Sequence, residues 1–221
     1  VLHPIAGLPM ITRVVRIAHA LQADQIIPIL GYKHELVQSA LKDESVECAL
    51  QLKQLGTAHA VLQCQKLLTD FQGNVLILYG DVPLTKVETL SRLMEIHEKE
   101  DAWSTILTTD LPNPTGYGRI IRNKDNSLMK IVKEKDATYE ERAVHEINSG
   151  IYVFDSQILF RLLPAVGNNN RQNEYYLPDV LNLIIKEKGK VAIDKINNYI
   201  EIQGVNNTVQ LTAVNKLYEN A

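Results

Sequence analysis

The run of residues 75–79 constrains the fold of this chain more than any other stretch. It has five consecutive apolar or aromatic side chains, and it is bounded by Gly73 and Asn74 before it and by Gly80 after it. Such a run is typical of a strand buried on both faces, like the inner strands of a parallel sheet. It therefore predicts an α/β domain in which this strand is central.

Strands and helices alternate before this run. We predict a helix over residues 9–23, a strand over 25–31, a helix over 34–41, a strand over 46–51 and a helix over 57–68. Pro28 removes one ladder donor from the first of these strands and favours a bulge there. The alternation predicts a parallel sheet with right-handed crossovers.

The second half of the chain keeps strands and helices but adds a different feature. The loop of residues 111–119 is rich in turn residues, and a small β-ribbon of two short strands follows it. A helix that begins at Thr85, with Glu88 completing a capping box, is predicted to run to about His97. The remaining predicted elements are strands over 103–109, 119–122, 128–132, 146–154, 191–193 and 199–202, and helices over 158–163, 176–187 and 209–218. The fold class is thus a doubly wound, mostly parallel α/β sheet with an added β-ribbon.

Composition limits the kinds of partner. The chain has 221 residues, of which 45% are hydrophobic and 22% charged, and its net charge is -3. Without a block of like charge it offers no electrostatic footprint for nucleic acid or a membrane surface. No apolar run approaches membrane-spanning length, and two cysteines in apolar contexts, Cys48 and Cys64, predict free thiols. We therefore expect a cytoplasmic protein that acts on small molecules.

Asp81 is the first candidate for chemistry. It follows Gly80 directly, just past the carboxyl end of the predicted central strand, which is where open α/β sheets bind ligands. A carboxylate there is suited to a divalent metal carried by a phosphorylated substrate. A turn Asp or a charge at a helix start explains the same residue equally well.

Other small polar residues also stand at strand ends. Gln51 closes a strand, and Gly56 and Thr57 open the next helix, where free amides suit a base edge or an anion. Thr57 taken alone is better explained as a simple N-cap. Two glycines in the loop of residues 115–119 leave room for a sugar or form an ordinary turn, and asparagines at 148 and 206 offer amide oxygens or caps.

Taken together, these segments carry a family resemblance. They are residues 54–60 (QLGTAHA), 78–84 (LYGDVPL), 114–120 (PTGYGRI), 135–138 (KDAT), 146–150 (EINSG), 173–177 (NEYYL) and 204–207 (GVNN). Over residues 1–218 the chain resembles the uridyltransferase half of the bacterial bifunctional N-acetylglucosamine-1-phosphate uridyltransferase/glucosamine-1-phosphate acetyltransferases. Other sugar-nucleotide pyrophosphorylases share the fold and the metal-binding Asp, but the full set is closer to this family.

The resemblance implies a Rossmann-like nucleotide-diphospho-sugar transferase that makes UDP-N-acetylglucosamine and pyrophosphate from UTP and N-acetylglucosamine 1-phosphate. It implies that Asp81 and Asn206 share a Mg²⁺ ion as the catalytic pair. It also implies cell-wall and lipopolysaccharide precursor synthesis, and a homotrimer for the full-length protein. The substrate-binding residues that it implies are Gln51, Gly56 and Thr57 for the uracil, Tyr79, Gly80 and Asp81 for the ribose, phosphates and sugar, Gly118, Glu134 and Asn148 for the N-acetylglucosamine, and Asn206 for the metal-bound phosphates.

The domain organisation follows from the same resemblance. Residues 1–221 form one nucleotidyltransferase domain, with a nucleotide-binding half over 1–110, a sugar-binding half over 111–205 and the start of a connecting helix over 206–221. The family's first strand and glycine-rich phosphate loop precede residue 1, so we expect the chain as written to turn over poorly. The left-handed β-helix that carries the acetyltransferase in the family has no counterpart in residues 1–221, so we assign no acetyl-coenzyme A chemistry to them.

One position departs from the family pattern, and two other functions stay open. An ungapped match puts Lys133 where the family has Glu, so either Glu134 takes over by a local shift or one sugar contact differs. The same chemistry on another sugar phosphate, such as glucose 1-phosphate, is the nearest alternative. A non-catalytic sugar-nucleotide-binding domain is the second, and a domain that binds no nucleotide is the least favoured.

Overall fold

The computed structural model describes residues 1–219. The strands are β1 (Pro4–Ile5), β2 (Leu8–Pro9), β3 (Ile29–Leu30), β4 (Ala49–Leu50), β5 (Asn74–Ile77), β6 (Ser104–Asp110), β7 (Arg119–Arg122), β8 (Leu128–Val132), β9 (Glu146–Asp155) and β10 (Val191–Ile196). The helices are α1 (Met10–Ala20), α2 (His34–Ala40), α3 (Thr57–Leu62), α4 (Val87–Lys99), α5 (Tyr139–Arg142), α6 (Ser156–Leu162), α7 (Pro178–Lys186) and α8 (Thr208–Glu219). Short 3-10 helices cover Leu163–Ala165 and Tyr199–Ile202.

The chain divides into two compact units. The first unit comprises Val1–Leu52, Leu78–Ser91 and the segment from Ile200 onward, and the second comprises Lys53–Ile77 and Arg92–Tyr199. The nucleotide-binding and sugar-binding halves proposed from the sequence have other boundaries, and they remain a prediction. In the predicted connecting segment, α8 ends at Glu219, and residues 220 and 221 lie outside the described part.

In the first unit, β3 and β4 pair in parallel where two strands were predicted. Pro28 has no N–H, but its carbonyl accepts from the Ala49 N–H at 3.0 Å, and the Gln51 N–H donates to the Leu30 carbonyl at 2.8 Å. The hydrogen-bonded region therefore extends beyond the two-residue strands. Proline is tolerated here because a parallel ladder can still use its carbonyl.

The second unit contains a six-stranded sheet centred on β9. Its order is β10-β6-β9-β7-β8, with β5 also paired to β9. β10 is parallel to β6, whereas β9 is antiparallel to β5, β6 and β7, and β8 is antiparallel to β7. Strands β5, β6, β7 and β10 therefore share one direction. Helices alternating with a sheet in which most strands share a direction confirm the predicted α/β class, and β7 and β8 are the predicted ribbon.

The central position predicted for residues 75–79 is wrong. All four residues of β5 are only half-buried, and within residues 1–219 this strand pairs with β9 alone, in antiparallel register. The deeply buried strand is β9, in which residues 151–154 are at most 1% exposed. An apolar run indicates that a strand can be buried. Which strand is central depends on pairing with strands that are distant in sequence.

Two local predictions around α4 and the last strand are also wrong. The Thr85 hydroxyl donates to the carbonyl oxygen of Glu201 at 2.9 Å, and α4 begins at Val87 rather than at a capping box on Thr85. The segment Tyr199–Ile202 is a 3-10 helix and not a strand. Its consecutive residues Glu201 and Ile202 are both buried, whereas a strand would point them to opposite faces.

Two predictions from composition can be compared with the structure. Cys48 and Cys64 are free thiols, as predicted, and burial raises the pKa of the Cys64 thiol to about 11. A thiol with that pKa stays protonated and unreactive at neutral pH. None of the helices described in residues 1–219 is long and apolar enough to cross a bilayer.

Candidate functional site

Asp81 lies in a turn that follows β5, within the first unit. The Val82 N–H donates to the Tyr79 carbonyl at 3.1 Å and closes this turn. The Asp81 carbonyl in turn accepts from the Val205 N–H at 2.9 Å. The turn is therefore tied directly to the segment that carries Asn206.

Gly80 packs closely against the end of the Ile11 side chain in this turn. A β-carbon at this position would lie 2.8 Å from Cδ1 of Ile11, closer than side chains pack. Ile11 belongs to α1, so the absence of a side chain lets the turn approach that helix. Contact of Gly80 and Tyr79 with a substrate stays a prediction.

The two residues predicted to share a metal come together at Gly204. A β-carbon built on Gly204 would lie 3.6 Å from Oδ2 of Asp81 and 3.3 Å from Nδ2 of Asn206. The side chains of Asp81 and Asn206 therefore both lie beside Gly204. A carboxylate and an amide oxygen are hard ligands of the kind that Mg²⁺ prefers, so these residues fit the ion.

The environment of Asp81 favours a cation. Burial raises the pKa of the Asp81 carboxyl above its ordinary value, although a hydrogen bond from its own N–H and the positive charge of the amino terminus oppose the shift. None of the salt bridges within residues 1–219 includes Asp81. No cluster of three or more His, Cys, Asp or Glu that could hold a metal occurs in that range. A Mg²⁺ ion at Asp81 and Asn206 would therefore take most of its ligands from water and phosphate oxygens, as Mg²⁺ commonly does.

The residues predicted to hold the uracil are distributed over both units. Gln51, in the first unit, is buried, and its N–H completes the ladder to Leu30 described above. Gly56 and Thr57 are in the second unit. At Gly56, φ is +114°, and a β-carbon would lie 2.4 Å from the carbonyl oxygen of Tyr175, so only glycine fits.

The start of α3 is engaged by the chain itself. Gly56 is the N-cap residue, and the Thr57 hydroxyl accepts from the Leu177 N–H at 2.9 Å, so the interpretation of Thr57 as a simple N-cap is wrong. The Ala58 N–H donates to the Tyr175 carbonyl at 2.9 Å. One helix-start amide and the threonine hydroxyl are thus used to join α3 to residues 175–177. A role for Gln51, Gly56 and Thr57 in uracil binding stays a prediction.

Asn148 does not end a strand, as the sequence suggested, but lies within β9 beside a bulge. The pairing of β6 with β9 shifts register between Ile106 and Thr108, and Gly150 has φ of +86°. The Asn148 Oδ1 accepts from the Gly150 N–H at 2.9 Å, and its Nδ2 is 2.6 Å from the Tyr152 hydroxyl. Bulges next to sites re-aim side chains, and this one fixes the Asn148 amide.

Gly118 lies against Asn148 and the ribbon. Its carbonyl accepts from the Asn148 N–H at 2.9 Å, and a β-carbon on it would be 3.6 Å from Cβ of Asn148 and 3.5 Å from the carbonyl oxygen of Val132. The two predicted sugar contacts, Gly118 and Asn148, are therefore neighbours in the second unit. Their contact with a sugar itself stays a prediction.

Glu134 and Lys133 have different partners. The Glu134 carboxylate accepts from the Gly116 N–H and lies 3.5 Å from the Arg119 guanidinium, so it holds the loop that precedes β7. The Lys133 ammonium lies 3.3 Å from the centre of the Tyr176 ring. Burial lowers the pKa of Lys133, although nearby carboxylates oppose this shift.

Lys133 and Tyr176 line a cavity of about 480 Å³ in the second unit, which we call the Lys133 cavity. Strand β8 supplies Ile131 and Val132 to its wall, and α7 supplies Asp179. Tyr176 is 4% exposed, and its hydroxyl has no hydrogen-bond partner among the described residues. A cavity of this size with a few convergent polar groups is typical of a small-molecule site.

The sequence predictions assigned no role to Tyr176 or Asp179. Tyr176 belongs to the segment of residues 173–177 that carries part of the family resemblance, and this was the available signal. Asp179 gave none, because one acid in the first turn of a helix is usual. Burial raises the pKa of the Asp179 carboxyl, while a hydrogen bond from Asn182 at 3.2 Å opposes the shift.

Comparison with known proteins identifies relatives of this chain. The chain is 46% identical over 211 residues to the bifunctional protein GlmU of Halalkalibacterium halodurans, a match that covers 96% of this chain and 46% of that protein. It is 45% identical over 212 residues to the bifunctional protein GlmU of Bacillus subtilis, with the same coverage. The chain thus spans about half the length of the curated relatives that it matches, and the resemblance inferred from the motifs is confirmed.

A solved structure and a family profile complete the comparison. The crystal structure of UDP-glucose pyrophosphorylase complexed with UDP-glucose superposes with a TM-score of 0.75 at 16% identity, over 99% of this chain and 89% of that one. At that identity the likeness shows the fold alone. The profile of the family described as nucleotidyl transferase matches residues 2–199. The chain therefore belongs to the nucleotidyl transferase family.

Proposed function

We propose that this chain is a uridylyltransferase that makes UDP-N-acetylglucosamine and pyrophosphate from UTP and N-acetylglucosamine 1-phosphate. The observation that carries the proposal is the approach of Asp81 and Asn206 at Gly204, in a chain of the nucleotidyl transferase family. The identity of about 45% to proteins named GlmU supports the acetamido sugar over glucose. A sugar-phosphate oxygen attacks the α-phosphorus of UTP, the bond to the bridging oxygen breaks, and pyrophosphate leaves.

In this proposal the protein mainly positions and neutralises phosphate groups. Asp81 and Asn206 hold Mg²⁺, which when bound supplies Lewis-acid stabilisation of the charge on the phosphates. Burial of the Asp81 carboxylate favours a bound cation, and the amino terminus of the chain already acts on its charge in this way. Holding two reactants in line is itself worth several orders of magnitude in rate.

The remaining residues are assigned to substrate contacts. Gln51, Gly56 and Thr57 hold the uracil, and Tyr79 and Gly80 lie along the ribose and phosphates. The fixed geometry around each supports these assignments, since preorganised groups lose little freedom on binding.

The sugar is assigned to the second-unit residues around Gly118 and Asn148. The Asn148 amide is held in one orientation by Gly150 and Tyr152, as a selective contact requires. Glu134 contributes through the loop of Gly116, because its carboxylate is already engaged there. The Lys133 cavity adjoins this region through β8.

We extend the proposal to the full-length protein as a cytoplasmic homotrimer that supplies UDP-N-acetylglucosamine for cell-wall and lipopolysaccharide precursors. The naming of the relatives, which are about twice as long as this chain, supports the product, whereas the homotrimer and the location rest on the family resemblance alone. Light scattering of the purified full-length protein at several concentrations measures its mass. A monomeric mass throughout would contradict the trimer.

The test of the activity is pyrophosphate release by the full-length protein with UTP, Mg²⁺ and either N-acetylglucosamine 1-phosphate or glucose 1-phosphate. We expect release with the acetamido sugar and little with glucose. Release with glucose 1-phosphate alone would show that the substrate is glucose 1-phosphate. If the folded protein binds UDP-N-acetylglucosamine but releases no pyrophosphate with either sugar, it is a non-catalytic binding domain. Asp81→Asn is the control, since metal-dependent release must fall in that variant.

A further inference from the structure

Two segments of the first unit run antiparallel and are hydrogen bonded at both ends. At one end the Val205 N–H donates to the Asp81 carbonyl at 2.9 Å. At the other end the Thr85 hydroxyl donates to the Glu201 carbonyl at 2.9 Å. Residues 81–85 and 201–205 are equal in length, so the two hydrogen bonds fix the same register between the segments.

The side chain of Glu201 adds a further connection. Its Oε2 accepts from the Thr89 hydroxyl at 2.5 Å, and its Oε1 lies 3.8 Å from the Lys86 ammonium. Glu201 is 7% exposed, whereas the Lys86 side chain is 60% exposed. The exposed ion pair contributes little, whereas the Thr89 hydroxyl is a buried partner of the carboxylate.

These contacts connect the two proposed metal ligands. Asp81 precedes α4, on which Thr89 lies, and Glu201 precedes Gly204 and Asn206 in the chain. Because the Glu201 side chain is held on α4, the position of the segment that leads to Asn206 is also limited. Because Mg²⁺ demands near-ideal octahedral geometry, a small shift of either ligand weakens binding.

We propose that Glu201, held by Thr89, is a positioning residue for the Asp81–Asn206 pair. The proposal rests on the metal role assigned to that pair in the proposed function. Glu201 touches neither metal nor substrate in it, and acts by holding the segment of residues 201–206 against α4. Removing this contact should therefore weaken metal binding in a protein that still folds.

A paired substitution at Thr89 tests this with little change of shape. Thr89→Val removes the hydroxyl and keeps the branched side chain, whereas Thr89→Ser keeps the hydroxyl. Mn²⁺ is titrated in the presence of UDP-N-acetylglucosamine, and the free ion is counted by electron paramagnetic resonance. We expect the Mn²⁺ dissociation constant to rise about 10-fold or more in Thr89→Val, since loss of a residue that orients a metal ligand typically costs about 10-fold to 100-fold in metal affinity. Thr89→Ser should stay within about 2-fold of the parent protein.

Glu201→Ala should weaken Mn²⁺ binding at least as much as Thr89→Val. Asp194→Ala is the matched control, because Asp194 is a buried carboxylate of the second unit that is held by Arg92 at 3.0 Å. It should lower the melting temperature and leave the Mn²⁺ dissociation constant unchanged. If Thr89→Val and Glu201→Ala bind Mn²⁺ like the parent protein, Glu201 has no positioning role.

Asp81→Asn separates this inference from the proposed function. If Asp81→Asn binds Mn²⁺ as tightly as the parent protein, the metal role of Asp81 is wrong and the inference fails with it. If Asp81→Asn loses Mn²⁺ but Thr89→Val and Glu201→Ala do not, the metal role stands and the positioning role alone fails. A rise in the Mg²⁺ concentration needed for half-maximal pyrophosphate release in Thr89→Val would give a second, kinetic readout in support.

Discussion

The Lys133 ammonium lies 3.3 Å from the centre of the Tyr176 ring, over the face of that ring. The same ammonium is influenced by the charges of Glu174, Asp179 and Asp136. A cation therefore lies in the Lys133 cavity, at the position where the family resemblance led us to expect an acid. The positive charge in the cavity is therefore in contact with Tyr176, on the loop before α7.

We expect Lys133→Glu to be less stable than Lys133→Gln. Both changes remove the cation–π contact, worth about 1 kcal/mol, but only the first adds an anion beside other carboxylates. The difference in the free energy of unfolding should be about 1 kcal/mol at pH 7. Urea unfolding of the two variants measures it, and equal stabilities would show that the carboxylates do not act on this position.

Gly56→Ala should be strongly destabilising. The positive φ and the 2.4 Å approach to the Tyr175 carbonyl oxygen leave no room for a methyl group, so backbone must move. The expected loss is about 2 kcal/mol or more. Gly167→Ala is the control, because nothing lies within 4 Å of its β-carbon and its φ is not positive. We expect a change within about 0.5 kcal/mol there, and a similar loss at both glycines would contradict the argument.

Asp81→Asn should lose activity without losing stability. Burial disfavours the ionised carboxylate, so a neutral amide of the same shape removes that cost and should stabilise the metal-free protein by about 1 kcal/mol at pH 7. Turnover should fall about 100-fold or more, because the charge that holds the metal is gone. Thermal unfolding and pyrophosphate release measure the two effects. A destabilised variant would mean that Asp81 is a structural residue.

Glu146 should make stability depend on pH in the acid range. Burial raises its pKa, but hydrogen bonds from Arg122 at 2.5 Å and Thr108 at 2.7 Å and the nearby positive charges outweigh it, so the pKa lies below 4.5. The unfolded state then binds more protons than the folded state just below pH 4.5. The stability from this group is complete above that pH and is lost as the pH falls through the folded-state pKa.

Glu146→Gln tests this pH dependence. At pH 7 we expect a loss of about 2 kcal/mol, less than for a fully buried pair because Arg122 is partly exposed. The gap between the parent protein and the variant should narrow as the pH falls from 4.5 to 3. Urea unfolding at each pH measures the gap, and a gap that does not change with pH would exclude the lowered pKa as its source.

Several features of this protein follow from local sequence. The bounds of β7 and β8 match the predicted ribbon, and β6 matches its prediction within one residue, because turn-rich segments flank these strands and limit where they can begin. The buried apolar face of α1 has helical spacing that the sequence shows directly. The motifs that carry the family resemblance are also local, since most surround one turn or helix start and residues 146–150 lie within the single strand β9.

The tertiary structure alone determined the strand order and the side-chain contacts that involve residues far apart in the chain. It made β9 and not β5 the centre of the sheet, and it turned the hydroxyls of Thr57 and Thr85 from predicted caps into contacts with Leu177 and Glu201. A hydroxyl binds whichever group the fold brings within reach, and nothing in the flanking residues identifies that group. The same holds for the candidate metal site. The sequence predicted its residues, but only the fold brought residue 206 next to residue 81.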